Sequence, residues 1–521
     1  MNTGAVKHVS GPREPQTTKP KRQVVSDRLR HLSGQKVPLY RVGKVLFAVC
    51  ALLSFATLTS INAQTLNAQI SIASVVPARI KIDARLPSAT NALSFRNTYA
   101  GVLGLGERIA TVEGIRDNGE QVRAQKLAPG EFQATEKFSH FIYEVNLAGP
   151  LRPAQLSHVS SLNPDQGVLM LADLLPQSTK NSEGPVSTVV KVDVPIGWTV
   201  ASNARNEGPQ FSTEDPETTV FLIGPSLREK HHQLATTKLS IIASGKWPFS
   251  DNDAIKIAGQ ILQEYSRVTR FDLKRNAVLM LAPYPGEVGP DNWSAETRGN
   301  VVVLLLGRKA NRKRVLSRLG IALSHELFHL WVPNSLKLEG AYDWFFEGFT
   351  LYQALRMDLR LGLISFDDYL QTIARVYDSY LSSSDRDSLS LIEASERRWT
   401  TSSSLVYEKG MLVAFIYDLS LRKLSNCQTS IDDVYAALFQ LSATGQRSAN
   451  ETIISVLSER EELKPVARDY VERATKIDLN AILPAYGMQA GTSAAGTMQL
   501  SLVPDLSKTQ RSLLGCVGYR R

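Results

Sequence analysis

His325, Glu326 and His329 stand in the pattern H-E-x-x-H within IALSHELFHLWV. On a helix, positions four apart share one face, so both imidazoles can address a single metal ion while Glu326 flanks it as the general base of a hydrolytic reaction. Leu316, Leu319, Leu323, Leu327 and Leu330 recur at helical steps around the motif, and Pro333 closes the run. A catalytic zinc site typically takes three protein ligands and leaves a fourth position for water, so a third ligand is required. Glu347, in WFFEGF, is the candidate. It lies near the start of a second helical run, 344–361, that Asp343 is placed to N-cap and Gly362 to end. Seventeen residues separate Glu347 from His329, which suits the end of one helix, a connection and the opening of its neighbour. His325, His329 and Glu347 are therefore the expected ligands of a Zn2+ ion, and Asp343, Glu339 and Thr350 are near enough in sequence to orient them.

Three stretches carry a resemblance: H-E-L-F-H-L-W, W-F-F-E-G-F-T-L-Y, and V-Y-E-K-G at 406–410. Together they resemble the gluzincin metallopeptidases, most closely the glycyl aminopeptidase family. SLSLIEASERRW at 388–399 and LRLGLISFDDYL at 359–370 are similar to that family's segments between the zinc helices and the tyrosine. The resemblance implies a thermolysin-like, mostly helical zincin domain with a small β-sheet, and an N-terminal β domain packed against it. It implies that Tyr407 donates a hydrogen bond to the oxyanion of the transition state. It also implies an edge strand beside the zinc helix that pairs with extended substrate, for which NVVVLLLG at 300–307 is the candidate. A glutamate that binds the substrate's free amine would align with Glu296, although Trp293, Ser294 and Ala295 replace the family's glycine-rich pattern there. The connection from His329 to Glu347 is shorter than in glycyl aminopeptidases, so their substrate preference is not carried over. The residues after 485 leave no room for the PDZ domain that often follows in that family.

Composition narrows the function further. A chain of 521 residues with 43% hydrophobic content exceeds one ordinary domain and can bury real cores. Its formal charge of +9 is concentrated in residues 1–44, where ten Lys or Arg face only Glu14 and Asp27, leaving about +1 for the remainder. Nucleic-acid binding by the body of the protein is thus not expected. The basic leader precedes an apolar run at 45–58, VLFAVCALLSFATL, and then SINAQ, which reads as an export signal cleaved after Ala63 or Ala68. Uncleaved, residues 45–63 would anchor the chain in a membrane with its body outside. Either way the expectation is an exported protein, periplasmic or secreted. Cys427 and Cys516 remain in the mature chain, as a disulfide or as two free thiols.

The elements that must carry the site follow in order. Residues 69–228 alternate short apolar runs with turn residues and read as an N-terminal β-rich domain without a catalytic cluster. Its Asp117-Asn118-Gly119 is a hairpin signal. His231 and His232, on a polar segment, are expected to be solvated. Residues 235–485 are the expected catalytic domain: LSIIASG as a strand, 254–269 as a helix, AVLMLAP and NVVVLLLG as strands, then the zinc helix and further helices. Ser365-x-x-Asp368, Ser430-x-x-Asp433 and Ser448-x-x-Glu451 are placed like capping boxes. Residues 486–521 read as a short tail, and 1–63 as the leader. The fold expected is α+β and multidomain. The function expected is a zinc-dependent metallopeptidase acting on peptides or proteins, an aminopeptidase with Glu326 as base. An endopeptidase, or a membrane-anchored peptide-binding protein with weak catalysis, are the alternatives.

Overall fold

The strands Gln166–Met170 and Val220–Pro225 are buried along almost their whole length. Strand side chains alternate between faces, so such burial needs a packed layer on each side. Leu169, Phe221 and Ile223 belong to the core of an eight-stranded sheet that includes Thr65–Val75, Ala78–Ser94 and Glu131–Asn146. The alternate residues Val168, Met170, Val220 and Leu222 pack instead with Ile242, Val278, Met280, Val303 and Leu305 of a five-stranded sheet. That sheet turns its other face, with Ile241, Leu279, Leu281, Val302 and Leu304, to the helical core. The β-rich region and the helices are thus stacked as successive layers of an α+β fold. These layers belong to a computed structural model that describes residues 65–149, 151–177, 187–285, 289, 292–307, 311–399, 403–494 and 496–520. The leader and apolar run at 1–63 lie outside the described residues, among which no helix is long and apolar enough to cross a membrane.

The five-stranded sheet has the order Arg228–Gln233, Lys238–Ala243, Ala277–Pro283, Val301–Leu306, Trp293–Arg298. NVVVLLLG is therefore internal and not the expected edge. All six residues of Val301–Leu306 are buried, as a strand flanked on both sides and covered on both faces must be. The edge on that side is Trp293–Arg298, which turns at Gly299 (φ +56°) and runs antiparallel to Val301–Leu306. Ser294, Glu296 and Arg298 alternate along it with Trp293, Ala295 and Thr297. The hairpin signal is met: Ile109–Ile115 pairs with Gln121–Ala128 across a turn where Gly119 adopts φ +83°.

Helix Asp251–Thr269 opens on a capping box from Ser250, and Phe366–Ser382 and Ile431–Ser442 open on the expected boxes at Ser365 and Ser430. The third does not form among the described residues: Ser448 makes no side-chain cap, and Arg447–Ser448 pairs with Leu338–Glu339. Within the expected short tail, residues 486–520 form regular elements. Met488–Thr492 and Met498–Leu502 form a hairpin, followed by the helix Lys508–Val517, and Met488, Leu500, Leu513 and Leu514 are buried in the helical core. Cys427 and Cys516 are disulfide-bonded, with 6.2 Å between their Cα atoms.

One buried group has a measurable cost. Asp358, in the helix Thr350–Arg360, is 3% exposed and its Oδ1 accepts no hydrogen bond among the described residues. Burial pushes its carboxyl up to about 7, and the neighbouring Ser324 hydroxyl offsets this only in part. The folded chain therefore holds a proton that the unfolded chain releases near pH 4, so stability falls as pH rises from about 4 to about 7. The loss is about 4 kcal/mol. Asp358→Asn should remove this slope and raise the melting temperature above pH 7, which thermal unfolding at pH 5 and pH 7.5 will measure.

Candidate metal centre

The helix Arg312–Glu326 carries His325 and Glu326 on its last turn and then tightens into a 3-10 turn, Leu327–Leu330, that carries His329. The expected single α-helix is thus completed by a tighter turn, and the two imidazoles still converge. Their Nε2 atoms are 3.1 Å apart, and each is 3.6 Å from Glu347 Oε2. Four ligands at about 2.0–2.1 Å around a tetrahedral ion are spaced about 3.3 Å from one another, so this triangle fits such an ion. His329 Nδ1 donates to the Val332 carbonyl at 2.9 Å, which leaves the Nε2 lone pair facing the centre. The charge is also right for a cation. Burial opposes ionisation of His329, yet the Glu347 carboxylate outweighs it and pushes the imidazole up to about 9. Burial would raise Glu347, but the two imidazoles and Arg398 hold it well below the usual carboxylate range.

Glu347 lies on a π-turn, Trp344–Phe349, that precedes the helix Thr350–Arg360. Widened turns of this kind recur at functional sites. Asp343 does not cap it with its side chain. It is already in helical geometry, and its carboxylate is engaged by Arg398 Nη1 at 2.5 Å. The glycine beside Glu347 has a packing reason: a β-carbon on Gly348 would stand 2.6 Å from Gly410 Cα and from the Val406 carbonyl. Two backbones touch there, and this contact brings the helix Ser403–Leu424, with Tyr407, against the glutamate.

Arg398 ties these parts together. Its Nη2 donates to Glu347 Oε1 at 2.8 Å and to the Tyr407 hydroxyl oxygen, while Nη1 holds Asp343. Burial first, and Glu347 next, keep the Tyr407 phenol protonated far above its ordinary range. Of the expected orienting residues, Asp343 acts through Arg398. Glu339 is exposed, and the buried Thr350 hydroxyl has no partner among the described residues. Sequence reasoning missed Arg398; its one signal is the paired arginines of S-E-R-R-W.

These groups line a cleft of about 750 Å³ along the edge strand. Glu326 is 6% exposed, and its Oε2 accepts a hydrogen bond from Thr297 Oγ1 at 2.7 Å. Glu296 also reaches the cleft, where Tyr99 donates to its Oε1 and His158 Nδ1 meets its Oε2, both at 2.5 Å. The β-rich region, expected to hold no catalytic cluster, thus supplies one wall. Tyr99 sits in a small hairpin, Thr98–Tyr99 with Val102–Leu103, whose tip residues Ala100 and Gly101 both have positive φ. A β-carbon on Gly101 would lie 3.9 Å from the Trp399 ring on the opposite wall. His231 and His232 are exposed on the strand Arg228–Gln233, outside this cleft, as expected.

The family model described as M61 glycyl aminopeptidase matches residues 319–413, from the first site helix to just past Tyr407. The chain is gluzincin-aminopeptidase-like. Its fold agrees: it is similar to an aminopeptidase N family protein of Idiomarina loihiensis, with TM-score 0.70 and 17% identity over 82% of this chain and 79% of that one. It is also similar to a variant of the M1 zinc metallopeptidase of Deinococcus radiodurans bound to a Tyr-Ser-Ala substrate. There the TM-score is 0.50 and the identity 14%, over 80% of this chain and 95% of the other. No curated protein matches the sequence. The likeness in fold therefore extends over the β-rich region as well as the helices.

Proposed function

We propose that this chain is a zinc-dependent aminopeptidase. The observation that carries the reading is the convergence of His325, His329 and Glu347 beside Glu326, in a cleft that Tyr407 also lines. Bound zinc would polarise the scissile carbonyl and acidify a water. Glu326 takes the proton of the attacking water and delivers it to the leaving amine. Tyr407 donates its hydroxyl proton in a hydrogen bond to the carbonyl oxygen as negative charge develops. The edge strand Trp293–Arg298 pairs with the extended peptide backbone, and Glu296 receives the substrate's ammonium group. Export is part of the proposal, supported by the basic-then-apolar order of residues 1–63 and by the Cys427–Cys516 disulfide, which suits an oxidising compartment.

A second reading, an endopeptidase, is favoured by one observation: Glu296 is already engaged by Tyr99 and His158, with Arg298 Nε at 3.8 Å. Matched free and N-acetylated peptides, assayed with and without chelator, test both readings. Chelation should abolish hydrolysis and zinc should restore it. Acetylation, which removes the ammonium partner of Glu296, should lower kcat/KM roughly a hundredfold. Equal cleavage of both peptides would select the endopeptidase, and chelator-resistant cleavage would remove zinc from the account.

A further inference from the structure

Four arginines converge at a second cavity, away from the cleft. Arg356 and Arg360 stand one turn apart on the helix Thr350–Arg360, so their side chains share a face. Arg422 comes from the last turn of the helix Ser403–Leu424. Arg520 follows the helix Lys508–Val517, after a turn at Gly518 (φ +123°) where a β-carbon would stand 2.9 Å from Leu359 Cδ2. This close approach to Leu359 brings Arg520 to the other three, and with Cys516 and Val517 they line a cavity of about 150 Å³. The cavity shares no lining residue with the cleft that holds Glu326 and Tyr407, and no carboxylate lines it.

Four like charges need counter-charge, and the neighbouring acids fall short. Asp418 and Asp432 are spent on the two buried arginines. Asp418 Oδ2 takes Arg422 Nε at 2.9 Å and Arg356 Nε at 3.5 Å, and Asp432 Oδ1 takes Arg356 Nη1 at 2.8 Å. Arg360 reaches Asp432 Oδ2 and Glu264 Oε2 only at 3.6 Å, and Glu264 is held more closely, at 2.9 Å, by Arg267. Arg520 is exposed and has no hydrogen-bond or ion-pair partner among the described residues. The imbalance shows in Arg360: burial first, and the Arg356 charge next, push its guanidinium below its ordinary range against the pull of Asp432.

We propose that this cavity binds a small tetrahedral oxyanion, inorganic phosphate or sulfate. Guanidinium groups offer paired N–H donors that match the oxygens of such an ion, and donors arriving from three segments suit an acceptor that faces several directions at once. The volume is several times what one water needs, yet it falls short of organic-ligand pockets of roughly 300–1,000 Å³, so the ion enters without a large body attached. Bound there, it joins the helix that follows Glu347, the helix that carries Tyr407 and the segment after Lys508–Val517. It is an ionic tie beside the covalent one at Cys427–Cys516.

The test uses the full chain freed of metal by chelation, so that phosphate meets no zinc and no activity is needed. Calorimetric titration with inorganic phosphate should show saturable binding at one site. Thermal unfolding in about 20 mM phosphate should rise by about 2–3 °C over sodium chloride of equal ionic strength. Arg360→Met and Arg520→Met leave the buried Arg356, Asp418 and Arg422 in place, and each should weaken phosphate binding about tenfold or more. Phosphate also stabilises proteins by exclusion from their surfaces, but that part does not saturate and persists in both variants. O-Phosphoserine, which carries the same group on a larger body, should bind more weakly than the free ion. Absence of saturable phosphate binding to the parent would overturn the proposal, and so would an affinity unchanged in both variants, which places the ion elsewhere. Tighter binding of O-phosphoserine than of phosphate would make the ligand a phosphorylated side chain and overturn the assignment to a free ion.

Discussion

Glu326→Gln should abolish turnover, by roughly 10²–10⁴-fold, while zinc remains bound. The substitution is nearly isosteric, so the helix Arg312–Glu326 and the triangle of His325, His329 and Glu347 are left in place. What is lost is the capacity to accept a proton: a carboxylate oxygen becomes an amide that cannot take the proton of the attacking water or pass one to the leaving amine. Fold and site survive for a local reason too, since the Thr297 hydroxyl that meets Oε2 can accept from the new amide as readily as it donates to the carboxylate. Removing a ligand behaves differently. His325→Ala should lose both metal and activity, because two ligands do not complete the site. Steady-state kinetics together with metal analysis of purified protein separates the cases. A Glu326→Gln protein that keeps activity within about tenfold of the parent would remove Glu326 from the proton path.

The parts of the site legible in the sequence were those fixed by spacing along one element. His325 and His329 lie four apart, and Glu347 opens the next helix, so their convergence follows from helical geometry that a local pattern encodes. What the sequence hid depends on contacts between elements. Val301–Leu306 is so apolar that it read as the strand of choice, yet that apolarity is the mark of a strand enclosed on both sides. The edge goes to the mixed strand Trp293–Arg298, whose polar residues each find a partner in another layer. Tyr99 and His158 lie 197 and 138 residues from Glu296 in the chain, and no periodicity connects them. Asp343 illustrates the opposite error: a residue type well suited to a helix cap is claimed by Arg398, 55 residues away. The tail misled because its Gly, Ser and Thr content outweighed four apolar residues, Met488, Leu500, Leu513 and Leu514, that are enough to dock it.

Arg398→Met should lower kcat/KM roughly 10²–10³-fold, with contributions that can be pulled apart. Arg398 is 7% exposed and bonds to Glu347, Asp343 and Tyr407 at once. Without it, two largely buried carboxylates face each other with no counter-charge, and Glu347 loses the contact that fixes which oxygen points at the imidazoles. Removing a cation from beside a metal site would by itself favour a metal ion, but loss of an orienting partner typically costs about 10- to 100-fold in metal affinity or activity, and orientation should dominate here. That part of the defect should recover as zinc is raised. The remainder should not, because it comes from Tyr407, whose hydroxyl oxygen accepts from Arg398 and is thereby held where it can donate to the developing oxyanion. Arg398→Lys should rescue little: a single ammonium cannot span two carboxylates and a phenol as a planar fork does. In a Tyr407→Phe background the zinc-independent part of the Arg398→Met loss should vanish, which a double-mutant cycle at saturating zinc will measure. If the two losses add in full, Arg398 acts on the metal ligand alone and the tyrosine is positioned by its own helix.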